Sequence, residues 1–181
     1  KYVRKWLKDN IPADSKTCLI HNDWRFDNVI LDPNHPTQII GVLDWEMATI
    51  GDPLMDLGSA LAYWIQEDDD ALMKSSRRQP TNLKGMLTRQ EVVDYYLEKT
   101  GLQPENWAFY EVFGLFRLAV IAQQIYYRYY HQQTDNPAFK DFWILIHALH
   151  IRALKLIAQN NPQARPLIPE YAAKLQDILK R

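Results

Sequence analysis

Residues 21–28 read HNDWRFDN and place a histidine, two aspartates, an arginine and two asparagines between two apolar runs. A loop between strands could hold Asp23 and Asn28 around one point, and a hairpin after Asn28 could return Asp44 to it. Carboxylate and amide oxygens suit Mg²⁺, which shares its coordination shell with phosphates. A further carboxylate can accept the proton of an attacking hydroxyl. These residue types therefore predict phosphoryl transfer, which depends mainly on positioning and charge neutralisation.

Each of these residues also has an ordinary structural interpretation, since aspartate is common in turns and asparagine can end a strand. The spacing favours the chemical interpretation. H-x-D-x-x-x-x-N, then a hairpin and an aspartate, is the pattern of the protein-kinase catalytic loop and its metal-binding segment. Here Asn22 stands for the kinase arginine, and Asp44-Trp45-Glu46 stands for Asp-Phe-Gly. The segment after Asp44 has no long activation loop and no A-P-E motif, which disfavours a protein kinase.

Three short apolar runs, rich in β-branched residues, must position these side chains. They are predicted to be strands at 18–20, 28–31 and 38–44. The sequence DPNHP between the second and third runs predicts a hairpin turn. The first quarter of the chain is therefore expected to be a small β-rich element.

Apolar residues recur at helical spacing over most of the remaining chain. Thr88 followed by Glu91 is a capping-box signature, Gly101 is typical of a helix end, and Asn136 before Pro137 predicts a helix start. The acidic and basic stretches between 67 and 82 predict a mobile connection. Helices are predicted over 1–9, 54–65, 88–101, 104–130, 136–159 and 167–180. The predicted fold class is α+β and mostly α, with no linker that marks a second domain.

These motifs resemble the aminoglycoside phosphotransferase and choline kinase branch of the kinase-like fold. HNDWRFDN matches its H-G-D-x-x-x-x-N signature, with Asn22 in place of the usual glycine. Closest is the subgroup of kinase-like domains found beside acyl-CoA dehydrogenases. Its motifs appear here, across about residues 17–131, as WRFDN, DWE, GDPLMDL, TRQEVVDYYLEKTG and YEVFGLFRLA. The resemblance implies a kinase-like C-terminal lobe with a β-hairpin element and a helical subdomain.

The resemblance also implies roles for individual residues. Asp23 would be the catalytic base that aligns or deprotonates the acceptor hydroxyl. Asn28 and Asp44 would bind Mg²⁺ and, through it, the phosphates of ATP. His21 would support the loop from beneath, and Asp56 would accept hydrogen bonds from the loop backbone. The expected activity is that of an ATP-dependent small-molecule kinase.

The family's ATP site also needs an N-terminal lobe, and the residues before His21 are too few to form one. Residues 1–181 are therefore expected to be a C-terminal lobe alone, inactive when isolated. The alternative is a non-catalytic lobe that acts as a binding or interaction module. A physical reason to favour the kinase is that grouped carboxylates are costly to keep without a function.

The composition and charge limit the classes of partner that we expect for this protein. The net charge of −1 across 181 residues offers no field that would recruit nucleic acid or an anionic membrane. We expect a small-molecule hydroxyl as acceptor; the subgroup resemblance points towards a hydroxylated acyl thioester. The single cysteine excludes an internal disulfide and fits a reducing compartment, so a cytoplasmic location is expected. No signal peptide and no membrane-spanning run is evident, and the oligomeric state is left open.

For three groups of residues the sequence leaves both a structural and a functional role open. Arg25 could pair with Asp27 and shape the loop, or it could touch a phosphate or a substrate carboxylate. His147 and His150 could share a metal, but no third ligand lies near them in the sequence. The aromatic stretch 126–131 could pack in the core or line a substrate groove.

Overall fold

The computed structural model describes residues 1–179, and within them all side chains except those of Leu72, Asn160 and residues 174–179. The chain is mostly helical and carries small antiparallel strand pairs, which confirms the predicted fold class. It divides into two compact units, one formed by residues 12–105 and one by residues 1–11 with the described residues from 106 onward. The described residues form seven α-helices: α1 (Tyr2–Asp9), α2 (Pro53–Ala62), α3 (Ala71–Ser75), α4 (Arg89–Thr100), α5 (Trp107–Tyr130), α6 (Phe142–Asn160) and α7 (Leu167–Leu179).

Two antiparallel strand pairs lie in the unit of residues 12–105. The predicted hairpin is confirmed, because β2 (Val29–Leu31) pairs with β3 (Ile39–Val42). The predicted strand β1 (Cys18–Ile20) pairs instead with β4 (Thr49–Gly51), which the sequence did not predict. The two pairs bracket the loop of residues 21–28, so both ends of that loop are held by strand pairing.

Helix α2 begins directly after β4. Asp52 is its N-cap and accepts a hydrogen bond from the Leu54 backbone N–H at 2.8 Å, and Pro53 occupies the first turn. The same carboxylate accepts bonds from the backbone N–H and the hydroxyl of Ser15, at 2.9 and 2.6 Å. The start of α2 is therefore tied to the segment that leads into β1.

Helix α4 has the predicted termini. Thr88 and Glu91 form the reciprocal capping box, and Gly101 ends the helix in the left-handed conformation at φ 70°. The connection before α4 differs from the prediction, because it contains α3 and is bonded at several points. Arg89 forms a bidentate ion pair with Asp69 at 2.7 and 2.8 Å, and Thr81 bonds both the N–H and the carbonyl of Ile65.

The other unit packs α1, α5, α6 and α7 together, with the α5–α6 pair at its centre. Asn136 does cap a turn, but this is a short 3₁₀ turn over Pro137–Phe139, and α6 starts later, at Phe142. Within the described residues, α5 is the one helix long and apolar enough to cross a membrane by length and composition. This corrects the expectation that no such run exists, although the core helix of a soluble protein passes the same test.

Candidate active site

The loop of residues 21–28 is held from below by the first turn of α2. Asp56 accepts hydrogen bonds from the backbone N–H of His21 at 2.7 Å and from that of Asn22 at 2.9 Å, one on each carboxylate oxygen. The structure thus shows the contact expected for Asp56. A carboxylate that receives two backbone donors fixes the direction in which the chain leaves β1.

Asn22 adopts the left-handed conformation, with φ 65°. This explains why glycine is usual at this position of the motif, since a Cβ in that conformation costs roughly 1–2 kcal/mol. Asparagine tolerates it better than most residues. Its side-chain Nδ2 also donates a hydrogen bond to the Met47 carbonyl at 3.0 Å, which ties the loop to the segment after Asp44.

His21 is buried beneath the loop, and both of its ring nitrogens have partners. Nδ1 accepts a hydrogen bond from the Asp23 backbone N–H at 3.2 Å, so Nε2 carries the proton and donates to the Leu43 carbonyl at 2.8 Å. The ring also packs against Trp45, with centroids 4.7 Å apart. These contacts give His21 the supporting position that the resemblance implied.

The structure brings Asp23 and Asn28 together. The Nδ2 of Asn28 donates to the Asp23 backbone carbonyl at 2.7 Å and to its carboxylate Oδ2 at 3.2 Å. Asn28 is buried, so this orientation is fixed by its surroundings. Because the amide nitrogen is bonded to Asp23, the oxygen Oδ1 is the atom with which Asn28 would bind a cation.

Asp44 reaches the same loop through the strand pairing. The β2–β3 register continues beyond Val42, so that the Leu43 backbone N–H donates to the Asn28 carbonyl at 2.8 Å. Asp44 is the next residue, is exposed, and has a φ of 65°. Left-handed backbone in a residue other than glycine is uncommon and clusters at functional sites.

The donor types of Asn28 and Asp44 fit a hard divalent cation. An amide oxygen from Asn28 and a carboxylate from Asp44 are the oxygen ligands that Mg²⁺ accepts, with phosphate oxygens and water in the rest of its shell. Among the described residues there is no group of three His, Cys, Asp or Glu side chains placed to hold a metal. The Asn28 amide is a ligand of a different type and adds to the Asp44 carboxylate.

Arg25 lies closer to Asp23 than to Asp27. Its Nη2 is 3.1 Å from the Asp23 carboxylate, whereas its Nη1 is 3.9 Å from that of Asp27. The expected pair with Asp27 is therefore the weaker of two contacts. The guanidinium also lies over the ring of Tyr63, at 5.3 Å from the centroid.

Sequence reasoning missed the residues that support the middle of the loop. The Oε1 of Gln79 accepts a hydrogen bond from the Phe26 backbone N–H at 2.9 Å, and Trp64 packs on the Phe26 ring with centroids 5.6 Å apart. Both come from the connection between α2 and α4. No motif or period marks Gln79, and only its burial, at 5% exposed, distinguishes it from a solvated glutamine.

The histidines of α6 form a separate cluster with Tyr171 of α7. The Nδ1 of His147 is hydrogen bonded to the Tyr171 hydroxyl, and the His150 ring packs on the tyrosine with centroids 4.4 Å apart. Burial lowers the pKa of both histidines and raises the pKa of Tyr171. These contacts account for the two histidines as part of the packing between α6 and α7.

A β1–loop–β2 site, with a buried histidine, a carboxylate–amide pair and a second aspartate after the hairpin, defines a kinase-like phosphotransferase. Residues 1–89 match the model of the phosphotransferase enzyme family, and the chain is similar to members of this family. It is 34% identical to mouse acyl-CoA dehydrogenase family member 11 over 174 residues, and 36% identical to mouse family member 10 over 126 residues. These alignments cover 94% and 68% of the chain but only 22% and 12% of the two relatives.

A solved structure of a Ralstonia eutropha protein assigned as an aminoglycoside phosphotransferase has the same fold. The TM-score is 0.62 and the identity 28%, and the match covers 95% of this chain and 48% of that one. The chain therefore spans about half of the length of this structure and less than a quarter of the two mouse relatives. That residues 1–181 form a C-terminal lobe alone stays a prediction.

Proposed function

We propose that this chain forms the catalytic part of an ATP-dependent kinase that phosphorylates a hydroxyl group of a small molecule. The observation that carries the proposal is the joint placement of Asp23, Asn28 and Asp44. The side-chain amide of Asn28 donates hydrogen bonds to Asp23. The backbone carbonyl of Asn28 accepts one from Leu43, which directly precedes Asp44. Asp23 and Asn28 are thus directly hydrogen bonded, and Asp44 follows a residue that is bonded to Asn28.

In the proposed reaction the acceptor oxygen attacks the γ-phosphorus of ATP. A new P–O bond forms, the bond to the bridging oxygen breaks, and ADP leaves with that electron pair. Asp23 aligns the acceptor hydroxyl and takes its proton. Asn28 Oδ1 and the Asp44 carboxylate would hold Mg²⁺, which when bound neutralises charge on the ATP phosphates. His21 and Asp56 keep the loop in shape and touch no reacting atom.

For the acceptor we propose a hydroxylated acyl thioester. Support comes from the two mouse relatives, whose names place them among acyl-CoA dehydrogenase family members, and from the subgroup motifs WRFDN and GDPLMDL. An aminoglycoside is the competing acceptor, supported by the assignment of the Ralstonia eutropha protein. Fold alone does not decide between them, because the same fold serves many substrates.

The test uses the full-length gene product that contains residues 1–181, with ATP labelled at the γ-phosphate. It is offered hydroxyacyl-CoA thioesters, an aminoglycoside and choline, with and without Mg²⁺. We expect label in a thioester, loss of transfer on chelation, and a loss of at least about 100-fold in Asp23→Asn and in Asp44→Asn. Glu46→Gln is the matched control, because it removes an exposed carboxylate two positions from Asp44.

Unchanged transfer in Asp44→Asn would remove this residue from the mechanism. Label in the aminoglycoside alone would overturn the thioester and leave the kinase. If no acceptor is labelled and a partner protein binds without Mg²⁺ and nucleotide, the binding-module alternative replaces the kinase.

A further inference from the structure

Arg25 is the only lysine or arginine between Lys16 and Lys74, and it lies two positions after the proposed base. We propose that Arg25 is a catalytic residue whose guanidinium binds the oxygens of the phosphoryl group in transfer. This inference rests on the proposed kinase function and deepens it. In this role Arg25 would neutralise negative charge on the phosphoryl group that Asn28 and Asp44, as metal ligands, do not contact themselves.

The contacts of Arg25 are those of a side chain with unused donors. Its shortest ion-pair distance is 3.1 Å, to a single oxygen of Asp23, and the next is 3.9 Å, to Asp27. Charge-assisted bonds of this type are usually about 2.7–2.9 Å long. Its Nε is buried without a hydrogen-bond partner among the described residues, and a buried donor in that state is destabilising. An arginine whose only role was to shape the loop would be expected to form shorter and more complete contacts than these.

Arg89 shows what a structural arginine looks like in the same unit. Its two Nη atoms bind Asp69 at 2.7 and 2.8 Å, and Nη1 also bonds the Trp64 carbonyl at 2.8 Å. Its side chain is 16% exposed, whereas that of Arg25 is 25% exposed. Arg89 is therefore committed to its partners, whereas Arg25 is more exposed and has one ion-pair contact within 3.5 Å, to Asp23.

The position of Arg25 follows from the chemistry of Asp23. The acceptor oxygen bonded to Asp23 is the atom that attacks phosphorus, so a group in contact with Asp23 lies next to the phosphoryl group in transfer. The planar guanidinium can bind two of the phosphoryl oxygens as the P–O bond to ADP breaks and the proton passes to Asp23. The face of Tyr63 supports the guanidinium from one side without using any N–H donor.

The experiment compares two ligands of the full-length gene product by calorimetry: Mg·ADP, and Mg·ADP with aluminium fluoride, which mimics the phosphoryl group in transfer. The wild type should bind the fluoride complex more tightly. In Arg25→Gln the ratio of the affinity for the fluoride complex to the affinity for Mg·ADP should fall at least about tenfold, while the affinity for Mg·ADP itself is unchanged. Arg25→Lys should retain part of it, since a single ammonium keeps the charge but not the two-pronged contact.

Asp27→Asn is the control for loop shape, because it removes the weaker ion pair and leaves Arg25 in place. We expect it to bind both ligands as the wild type does, and thermal unfolding should show that all variants are folded. An equal preference in Arg25→Gln and the wild type overturns the role of Arg25 and leaves the kinase standing. Equal losses in Asp27→Asn and Arg25→Gln identify loop shape as the cause and also overturn it. A wild type that binds neither ligand refutes the kinase proposal itself and this inference with it.

Discussion

The side-chain oxygen of Gln79 accepts a hydrogen bond from the backbone N–H of Phe26, a residue 53 positions earlier, at 2.9 Å. Phe26 lies in the middle of the candidate catalytic loop, and Gln79 is almost fully buried. The connection between α2 and α4 therefore supports the loop at its centre, while α2 and the strand pairs hold its ends.

Replacing Gln79 by leucine should lower the free energy of unfolding by about 1–3 kcal/mol, because the Phe26 N–H loses its partner in a part-buried position. Urea unfolding measures the change. Gln90→Leu is the matched control, since Gln90 is exposed on α4 and bonds only the neighbouring Asp94. Equal effects of the two substitutions would show that the Gln79 bond contributes nothing specific.

Asp56→Asn should loosen the start of the loop. An amide offers one acceptor oxygen where the carboxylate offers two, so either His21 or Asn22 loses its backbone bond. We expect a loss of about 1–3 kcal/mol, together with faster hydrogen exchange at these two amides. Asp94→Asn, on an exposed face of α4, should alter neither. Unchanged exchange at both amides would contradict the assigned role.

Asn22→Ala should destabilise the protein more than Asn22→Gly. Both remove the bond to the Met47 carbonyl, but only alanine keeps a Cβ at φ 65°. The difference in unfolding free energy should be about 1 kcal/mol in favour of glycine. Thermal or urea unfolding of the pair gives this difference directly, and the opposite order would show that the backbone at residue 22 is not constrained.

Acid should weaken the unit that contains α6 and α7. Burial lowers the pKa of His147 and His150 below the ordinary value of 6.5, so the unfolded chain binds protons more readily than the folded one. The free energy of unfolding should be fully maintained above about pH 6.5 and fall as the pH drops through the folded-state pKa values. Urea midpoints between about pH 8 and pH 5 measure this.

His147→Gln should flatten that pH profile, whereas His35→Gln should not, because His35 is exposed in the β2–β3 turn. A profile of the same steepness in the wild type and in His147→Gln would assign the pH dependence to other groups.

Local signals predicted the elements that local chemistry decides. The Thr88–Glu91 capping box and Gly101 gave the bounds of α4, and DPNHP between two apolar runs gave the β2–β3 hairpin. The motif HNDWRFDN predicted which residues gather at the loop, because a fixed spacing between strand and hairpin carries its geometry with it.

Features that depend on long-range contacts were not predictable in this way. Strand β4 is three residues long and exists because Thr49–Gly51 meets β1 across an intervening hairpin. Gln79 carries no local signature, since its partner is a backbone group far along the chain. Asn136 and Pro137 are a valid start signal, yet the turn they begin is short, and α6 starts only at Phe142.

Leu43 has both of its backbone polar groups committed to the catalytic loop: its N–H to Asn28 and its carbonyl to His21. A shift of the backbone at Leu43 would therefore break two hydrogen bonds and disturb a buried histidine. The Leu43 peptide thus couples the segment after the hairpin to the histidine beneath the loop, so a displacement of one is transmitted to the other.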